Sequence, residues 1–288
     1  MLKQIIFILK DIHSSQMQSI VADIGYLATQ FSAYGVRVSY RCHDTLVVIP
    51  APEPGSLYLA DDGDMLEALL AENYPCIALQ HEENHRENLV QAMFCFCEPR
   101  YIDFDSFLKA YQRLKGLPWH ILDTERLIIR ESTVADVDVF SRIYQDPEIR
   151  RHLPPQQNSI AEEKAYAADY IRLVYGFHGY GIWTLSLRGN AGGLAEVIGR
   201  AGLSHFEGQG YPELGFIIAA PHRRKGYAEE ALRAILNLAR SELGMDIIQA
   251  MVRPENTPSL NLCRKLGFTQ QTPVVLDGKD HLRLMLKL

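Results

Sequence analysis

One stretch of the chain places charge where plain structure has no use for it. Leu214-Gly215-Phe216-Ile217-Ile218-Ala219 reads as a strand, and Ala228, Ala231, Leu232, Ile235, Ala239 and Leu243 recur at helical spacing until Gly244 stops the pattern. Between them lies Arg223-Arg224-Lys225-Gly226. A helix N-terminus already carries partial positive charge and unpaired N–H groups, so three cations there repel it and one another. Two readings follow. The segment is a solvated basic turn with a flexible glycine, or it is a phosphate or pyrophosphate site in which backbone N–H groups donate and side chains neutralise. In the second reading Gly226 and Ala228 are small because a ligand must come close.

Two other groups invite a chemical reading. Asp61, Asp62 and Asp64 have the residue type for a cation, but acids also suit the start of the helix expected next, and capping is the reading taken. His81, Glu82, Glu83, His85 and Glu87 look like metal ligands, and are read instead as a solvated polar loop. Cys95 and Cys97 alternate on one strand and are expected as core thiols. No metal is expected.

The basic turn does not stand alone. Arg223-x-x-Gly226-x-Ala228 resembles the acyl-CoA pyrophosphate loop of the Gcn5-related N-acetyltransferases, the GNAT family. Asn256-Thr257-Pro258-Ser259, then a helical pattern, then Gly267-Phe268, resembles that family's N-x-x-S element after its fifth strand, here Ile247–Val252. Thr124-Glu125-Arg126-Leu127-Ile128-Ile129-Arg130 and Tyr144-Gln145-Asp146-Pro147-Glu148-Ile149 look like the opening of the RimJ/RimL-like branch, which acetylates ribosomal-protein N-termini. These matches span about residues 124–288 and do not reach the first 120.

The resemblance implies a mixed α/β sheet with splayed central strands, acetyl-CoA as acyl donor and CoA as product. The cofactor arm would lie along Phe216, Ile217, Ile218 and Ala219. Arg223, Arg224, Lys225, Gly226, Tyr227 and Ala228 would hold the pyrophosphate, and Asn256 and Ser259 would also contact the cofactor, with Asn256 ordering its turn. A primary amine would attack the thioester directly, which calls for a base, an oxyanion donor and an acid for the leaving thiolate. Glu213 is the base this implies, against the alternative of a surface glutamate at a strand edge. The N–H near Ile218 is the expected oxyanion donor. Many members carry a tyrosine where this chain has Cys263, which is read as packing. Ser259 is left as the thiolate acid or as a helix cap. Tyr144, Arg150, His152, Tyr175, Tyr180, Trp183, His205 and Glu207 are the candidates for an amine pocket, with aromatic core as the other reading. Arg150-Arg151-His152 would bind an acidic substrate group or end a helix over Asp136–Gln145. The function expected is an acetyl-CoA-dependent N-acetyltransferase acting on a small-molecule or peptide amine. The alternative is a catalytically degenerate acyl-CoA sensor or interaction protein.

The elements that must position these residues fall into two parts. Phe104, Phe107, Leu108, Tyr111 and Leu114 form a helical pattern stopped by Gly116-Leu117-Pro118, and a new strand begins at Thr124. The boundary is expected near 120, which gives domains 1–120 and 121–288 joined too closely to swing freely. The first part alternates short apolar runs with helical patterns: Ile5–Leu9, Met17–Phe31, Thr45–Ile49, Ser56–Ala60, Asp64–Asn73, Cys76–Leu79, Met93–Cys97 and Asp103–Lys115. That order predicts a Rossmann-like α/β domain with a mostly parallel sheet. It weakly resembles a haloacid-dehalogenase-type Rossmannoid, but Ile8 and Lys10 stand where that family needs its aspartates, so no phosphatase is read into it. The fold class is therefore α/β, a Rossmann-like domain followed by a GNAT domain.

Composition sets the outer limits. Of 288 residues 47% are hydrophobic and 22% charged, which excludes a disordered chain. No apolar run nears the roughly 18 residues that span a bilayer, and Ile5–Leu9 is too short for a signal peptide, so no membrane role is expected. The net charge of −6 lies entirely in residues 1–120, and no basic tail suggests nucleic acid. Five cysteines without a CxxC predict neither disulfides nor zinc, and a cytoplasmic location. A homodimer and a protein partner for the acidic first domain are left open.

Overall fold

The computed structural model describes the chain except for residues 44–46, 154–158, 190–193, 206–209 and 277. It divides into two compact units, Met1–Leu117 and Pro118–Leu288. Trp119 goes with the second because it exchanges hydrogen bonds with Glu131 at 2.9 and 3.0 Å.

The first unit runs β1 (Gln4–Leu9), α1 (Ser15–Phe31), β2 (Arg37–Cys42), β3 (Ser56–Ala60), α2 (Gly63–Ala71), β4 (Cys76–Gln80), β5 (Cys95–Cys97) and α3 (Phe104–Leu114). Every pairing is parallel, in the order β2-β1-β3-β4-β5. β1 and β3 are buried along their whole length, as strands covered on both faces must be. α1 and α3 close one core with Phe7, Leu27, Phe31 and Phe107, and α2 closes the other with Ile6, Tyr58 and Leu69.

Three expectations for this unit need correction. Of the strand expected over Thr45–Ile49, the part over 45–46 lies outside the described residues and 47–49 are irregular. The strand is β2, whose residues alternate polar with apolar and are mostly exposed because it is the edge of the sheet. Cys95 and Cys97 are exposed, not core thiols, since β5 is the other edge and only Phe96 turns inward. His81 is no solvated loop residue. Its side chain is buried and its Nε2 lies 3.4 Å from Asp61.

The second unit has an eight-stranded sheet in the order β12-β13-β11-β10-β9-β8-β7-β6. Its elements are β6 (His120–Asp123), β7 (Leu127–Arg130), α4 (Val137–Tyr144), α5 (Pro147–His152), α6 (Ile160–Tyr170), α7 (Gly176–His178), β8 (Ile182–Arg188), β9 (Leu194–Ser204), β10 (Glu213–Ile218), α8 (Tyr227–Ser241), β11 (Ile247–Val252), α9 (Thr257–Lys265), β12 (Gln270–Leu276) and β13 (Lys279–Lys287). One face packs on α8 and α9 through Trp183, Leu185, Leu214, Leu232, Ile235 and Cys263. The other meets Phe140, Ile143 and Ile149 of α4 and α5 through Val197 and Ile217. Buried Asp136 ties α4 to the sheet, accepting from Arg130 at 2.7 and 2.8 Å and from Thr184 at 3.2 Å. No helix among the described residues is long and apolar enough to cross a membrane.

Candidate functional site: a parted sheet and a string of free N–H groups

β10 and β11 are parallel neighbours that share a single pair, Glu213↔Gln249. Beyond it they part. The side each backbone group faces follows from two bonds: Gln249 N–H donates to Pro212 O at 2.9 Å, and Ala219 N–H donates to Ile198 O at 2.8 Å. Polar groups of successive strand residues alternate in direction. Even-numbered residues therefore face β11, and odd-numbered ones face β9. The Leu214 C=O, both polar groups of Phe216 and the Ile218 N–H point into the gap without a ladder partner. Ile217 and Ala219, expected to bind a cofactor arm with their neighbours, turn their backbone to β9. That is a correction which only the register could supply.

The gap ends at the basic turn. Arg224 has φ +60° and Gly226 φ +86°, so the chain twice enters the left-handed region before α8 begins. For Arg224 this costs about 1 kcal/mol or more and marks a conformation held for a reason. The N–H groups of residues 224–229 find no acceptor among the described residues, and the first intrahelical bond is Glu230 N–H to Gly226 O. Gly226 is the N-cap, with no side chain to satisfy its helix. Consecutive unpaired donors at a helix start form an anion cradle.

The three cations are not equivalent. Arg224 and Lys225 are exposed with no ion-pair partner among the described residues. Arg223 is spoken for. It donates to Ile218 O at 3.0 Å, Asp146 at 2.6 Å and Glu148 at 3.1 Å. The expectation that it neutralises a bound anion is corrected, because its charge is already met. Arg126, missed in the sequence, braces the turn from below. It donates to Lys225 O at 3.0 Å, pairs with Glu230 at 2.6 Å and lies 4.5 Å over the Tyr227 ring. Ala228 packs toward the core.

Glu213 sits at the apex of the gap, on the face that α4 and α5 cover. Burial pushes its carboxyl up to about 7, and no cation among the described residues pairs with it. Beside it Gly215 leaves room: a Cβ there would meet only Ile182 Cδ1, at 3.7 Å. A carboxyl poised near neutrality and next to open space can take a proton.

Around this apex the expected pocket residues scatter. Trp183 is 1% exposed and lies in the core on the opposite face, so it cannot line an amine pocket. Tyr175 is likewise buried, its hydroxyl held between Ile182 O and Ser132 N–H. Tyr144 does reach the Glu213 face, where its hydroxyl accepts from Arg200. Arg200 also lies over the Phe140 and Tyr144 rings. Tyr180 and exposed His205 are linked through His178, with ring centroids 5.5 and 6.3 Å away. Arg150 is exposed on α5. His152 ends α5, a separate helix that starts at Pro147 after α4 has stopped at Tyr144, so Arg150-Arg151-His152 do not end the helix expected over Asp136–Gln145. Glu207 lies outside the described residues.

At the head of α9, Asn256 is the cap, accepting from Ser259 N–H at 3.3 Å. The capping alternative for Ser259 is thus corrected: Ser259 is capped, and its hydroxyl has no partner among the described residues. Cys263 is buried in the core, and burial pushes its thiol up to about 11, which suits packing. The described residues contain no group of three or more potential metal ligands.

Comparison with known proteins agrees on the second unit. An uncharacterized N-acetyltransferase, p20 of Bacillus licheniformis, is 30% identical over 158 residues, covering 52% of this chain and 83% of the relative. An acetyltransferase structure from Agrobacterium tumefaciens is 25% identical, covering 58% of this chain and 94% of that one, with a TM-score of 0.49. RimJ of Mycobacterium smegmatis, solved with CoA-disulfide, is 19% identical over 60% of this chain and 88% of that one, with a TM-score of 0.48. The family described as the acetyltransferase (GNAT) domain matches residues 126–269, half of the chain. The chain belongs to the GNAT acetyltransferases, and the protein is an acyltransferase.

Proposed function

We propose that the second unit moves an acetyl group from acetyl-CoA to a primary amine by direct attack. The observation that carries this is the run of free N–H groups over 224–229, placed where the unpaired side of β10 ends. Acetyl-CoA supplies a thioester, an acyl group activated toward amines. The cradle, with Arg224 and Lys225 beside it, suits the pyrophosphate, and Asn256 and Ser259 at the head of α9 would meet the cofactor nearer its sulfur. The free groups of Leu214, Phe216 and Ile218 suit an amide-bearing arm laid along β10 as a further strand.

Each step then has a residue. Glu213 takes the proton that the amine must lose, directly or through one water. Of the free N–H groups, that of Phe216 lies nearer Glu213 and would donate to the carbonyl oxygen as charge gathers there, while the Ile218 N–H would serve the arm. The Ser259 hydroxyl passes a proton to the thiolate and regains one from solvent, and Glu213 gives its own proton back to solvent. The acceptor is a small-molecule or peptide amine entering over Gly215 from the α4–α5 side, near Tyr144.

Titration of the purified chain with acetyl-CoA, followed by thiol release over a panel of amines, tests this. Saturable binding with release of one thiol per acylated amine is expected. Absence of binding would reduce the 223–228 segment to a basic turn. Binding with no release on any amine would point to a sensor.

A further inference from the structure

We propose that Asp146 is a positioning residue for the acetyl-CoA site, acting through Arg223; this rests on the cofactor reading above. The free N–H groups begin immediately after Arg223. Where they point is set by what holds that residue, and what holds it lies on another element. Arg223 spends its guanidinium on three acceptors. Its Nε closes the turn onto Ile218 O, the last carbonyl of β10, and its two terminal nitrogens go to Asp146 and Glu148.

Of the two carboxylates, Asp146 matters more. It is 16% exposed against 73% for Glu148, and its contact is 2.6 Å against 3.1 Å. An exposed pair contributes little, while a sheltered, charge-assisted one fixes geometry. Asp146 also divides its oxygens. Oδ2 holds Arg223, and Oδ1 accepts the Glu148 N–H at 2.8 Å, capping α5. One carboxylate therefore joins the start of the cofactor cradle to the start of the helix that covers the Glu213 face. The far end of α5 is tied too, since Arg253, just beyond β11, donates to Arg151 O at 3.2 Å. The short helix is fastened to the segments that follow both parted strands.

With Asp146 removed, Arg223 loses its firmest anchor and the left-handed residue after it loses its support. The cradle loosens while Glu213 and Ser259 keep their places. Acetyl-CoA affinity falls and the chemical step does not.

The test measures the acetyl-CoA Kd by calorimetry, together with kcat and KM, in the full chain. The set is wild type, Asp146→Asn, Asp146→Ala, Arg223→Ala and the double variant Asp146→Ala/Arg223→Ala. Asp146→Ala should raise Kd and KM about tenfold with kcat within about twofold, the size expected of a contacting network. Asp146→Asn keeps the helix cap, because asparagine caps as well as aspartate, and should keep the wild-type Tm while still raising Kd. It carries the test if Asp146→Ala does not fold. The double variant should bind no worse than Arg223→Ala alone. A wild-type Kd in Asp146→Asn and Asp146→Ala overturns the proposal, and so do independent effects that multiply in the double variant. Failure of the wild-type chain to bind acetyl-CoA would instead remove the cofactor reading on which the proposal rests.

Discussion

Both units have parallel strands whose carboxyl ends could frame a crevice, and they treat that place in opposite ways. In the first unit the strand order reverses between β1 and β3, the place where open α/β sheets take ligands. Here the chain fills that place itself. Lys10 Nζ lies 2.5 Å from Asp62 and 3.1 Å from Glu87, Asp61 accepts the Lys10 N–H at 2.9 Å, and Asp62 caps α2. In the second unit β10 and β11 part, and the donors at the end of the gap are left unmet. A crevice whose polar groups satisfy one another needs no visitor. One whose donors are unmet is stable only because water, or a ligand, supplies the missing acceptors. Satisfaction of polar groups, more than the shape of the opening, separates the two.

The comparison breaks most visibly at Gly226. Gly226→Glu puts a carboxylate among the free donors and a side chain at φ +86°, 3.2 Å from Arg126. Acetyl-CoA affinity should fall at least about 100-fold by calorimetry. Circular dichroism should still report a folded chain, and unchanged affinity would mean the donors are not used.

Next comes the apex. Glu213→Gln should lower kcat by about 10²–10³ with little change in acetyl-CoA affinity. It should also remove a limb of the pH–rate profile that rises through about 7, since only the ionised carboxylate accepts a proton. Stability should move the other way. Below the ordinary glutamate value the carboxyl is neutral folded or unfolded. As pH rises toward 7 the unfolded chain ionises first, and a penalty of up to ~3 kcal/mol builds against the fold. The amide carries no such penalty, so the variant should melt higher at pH 8 and alike at pH 4.

In the closed crevice the effect is on stability alone. Burial pushes the Asp62 carboxyl up, but hydrogen bonds from Lys10 and Met65 outweigh it and hold the group below its usual value. Lys10→Met should cost about 1 kcal/mol at pH 7, discounted because Lys10 is half exposed. The loss should shrink as pH falls through the range in which Asp62 protonates. A loss equal at pH 7 and pH 3 would mean that charge is not what closes this crevice.

The smallest effects separate the two residues at the head of α9. Ser259→Ala should leave Tm unchanged and lower kcat by up to about tenfold. Asn256→Ala should cost about 1 kcal/mol of stability, because it holds the cap. The reverse pattern would return Ser259 to the role of helix cap.

How much of this was legible in the sequence depended on whether a feature is local. The basic turn, its glycine and the helix behind it can be read from residue types and spacing, because helix ends and left-handed turns are fixed by near neighbours. What required the fold was anything decided by a partner far along the chain. Arg223 reads as a free cation until Asp146 is brought to it. Trp183 reads as an aromatic near a pocket until the sheet turns it to the other face. Ile217 and Ala219 cannot be told from Phe216 and Ile218 until the register with β9 is known. The edge strand β2 alternates Arg37, Ser39 and Arg41 with Val38, Tyr40 and Cys42, so it offers no continuous apolar run, and a criterion built on runs discards it. Arg126 stands in the family-like opening stretch, but nothing local marks it as a brace for the turn. Its value to the turn comes from β7 lying beside the start of α8.

The parted stretch of β10 also fixes a length. From Glu213 at the apex to Ala219, where the turn toward the cradle begins, six residues of strand run to about 20 Å. On the function proposed above, a donor gripped at the cradle brings its reactive carbon to Glu213 only if its arm matches that span. Short thioesters should diffuse to the apex without being held, and donors with truncated arms should be held without reaching it. On that reading the strand is a ruler laid against the donor before any bond is made.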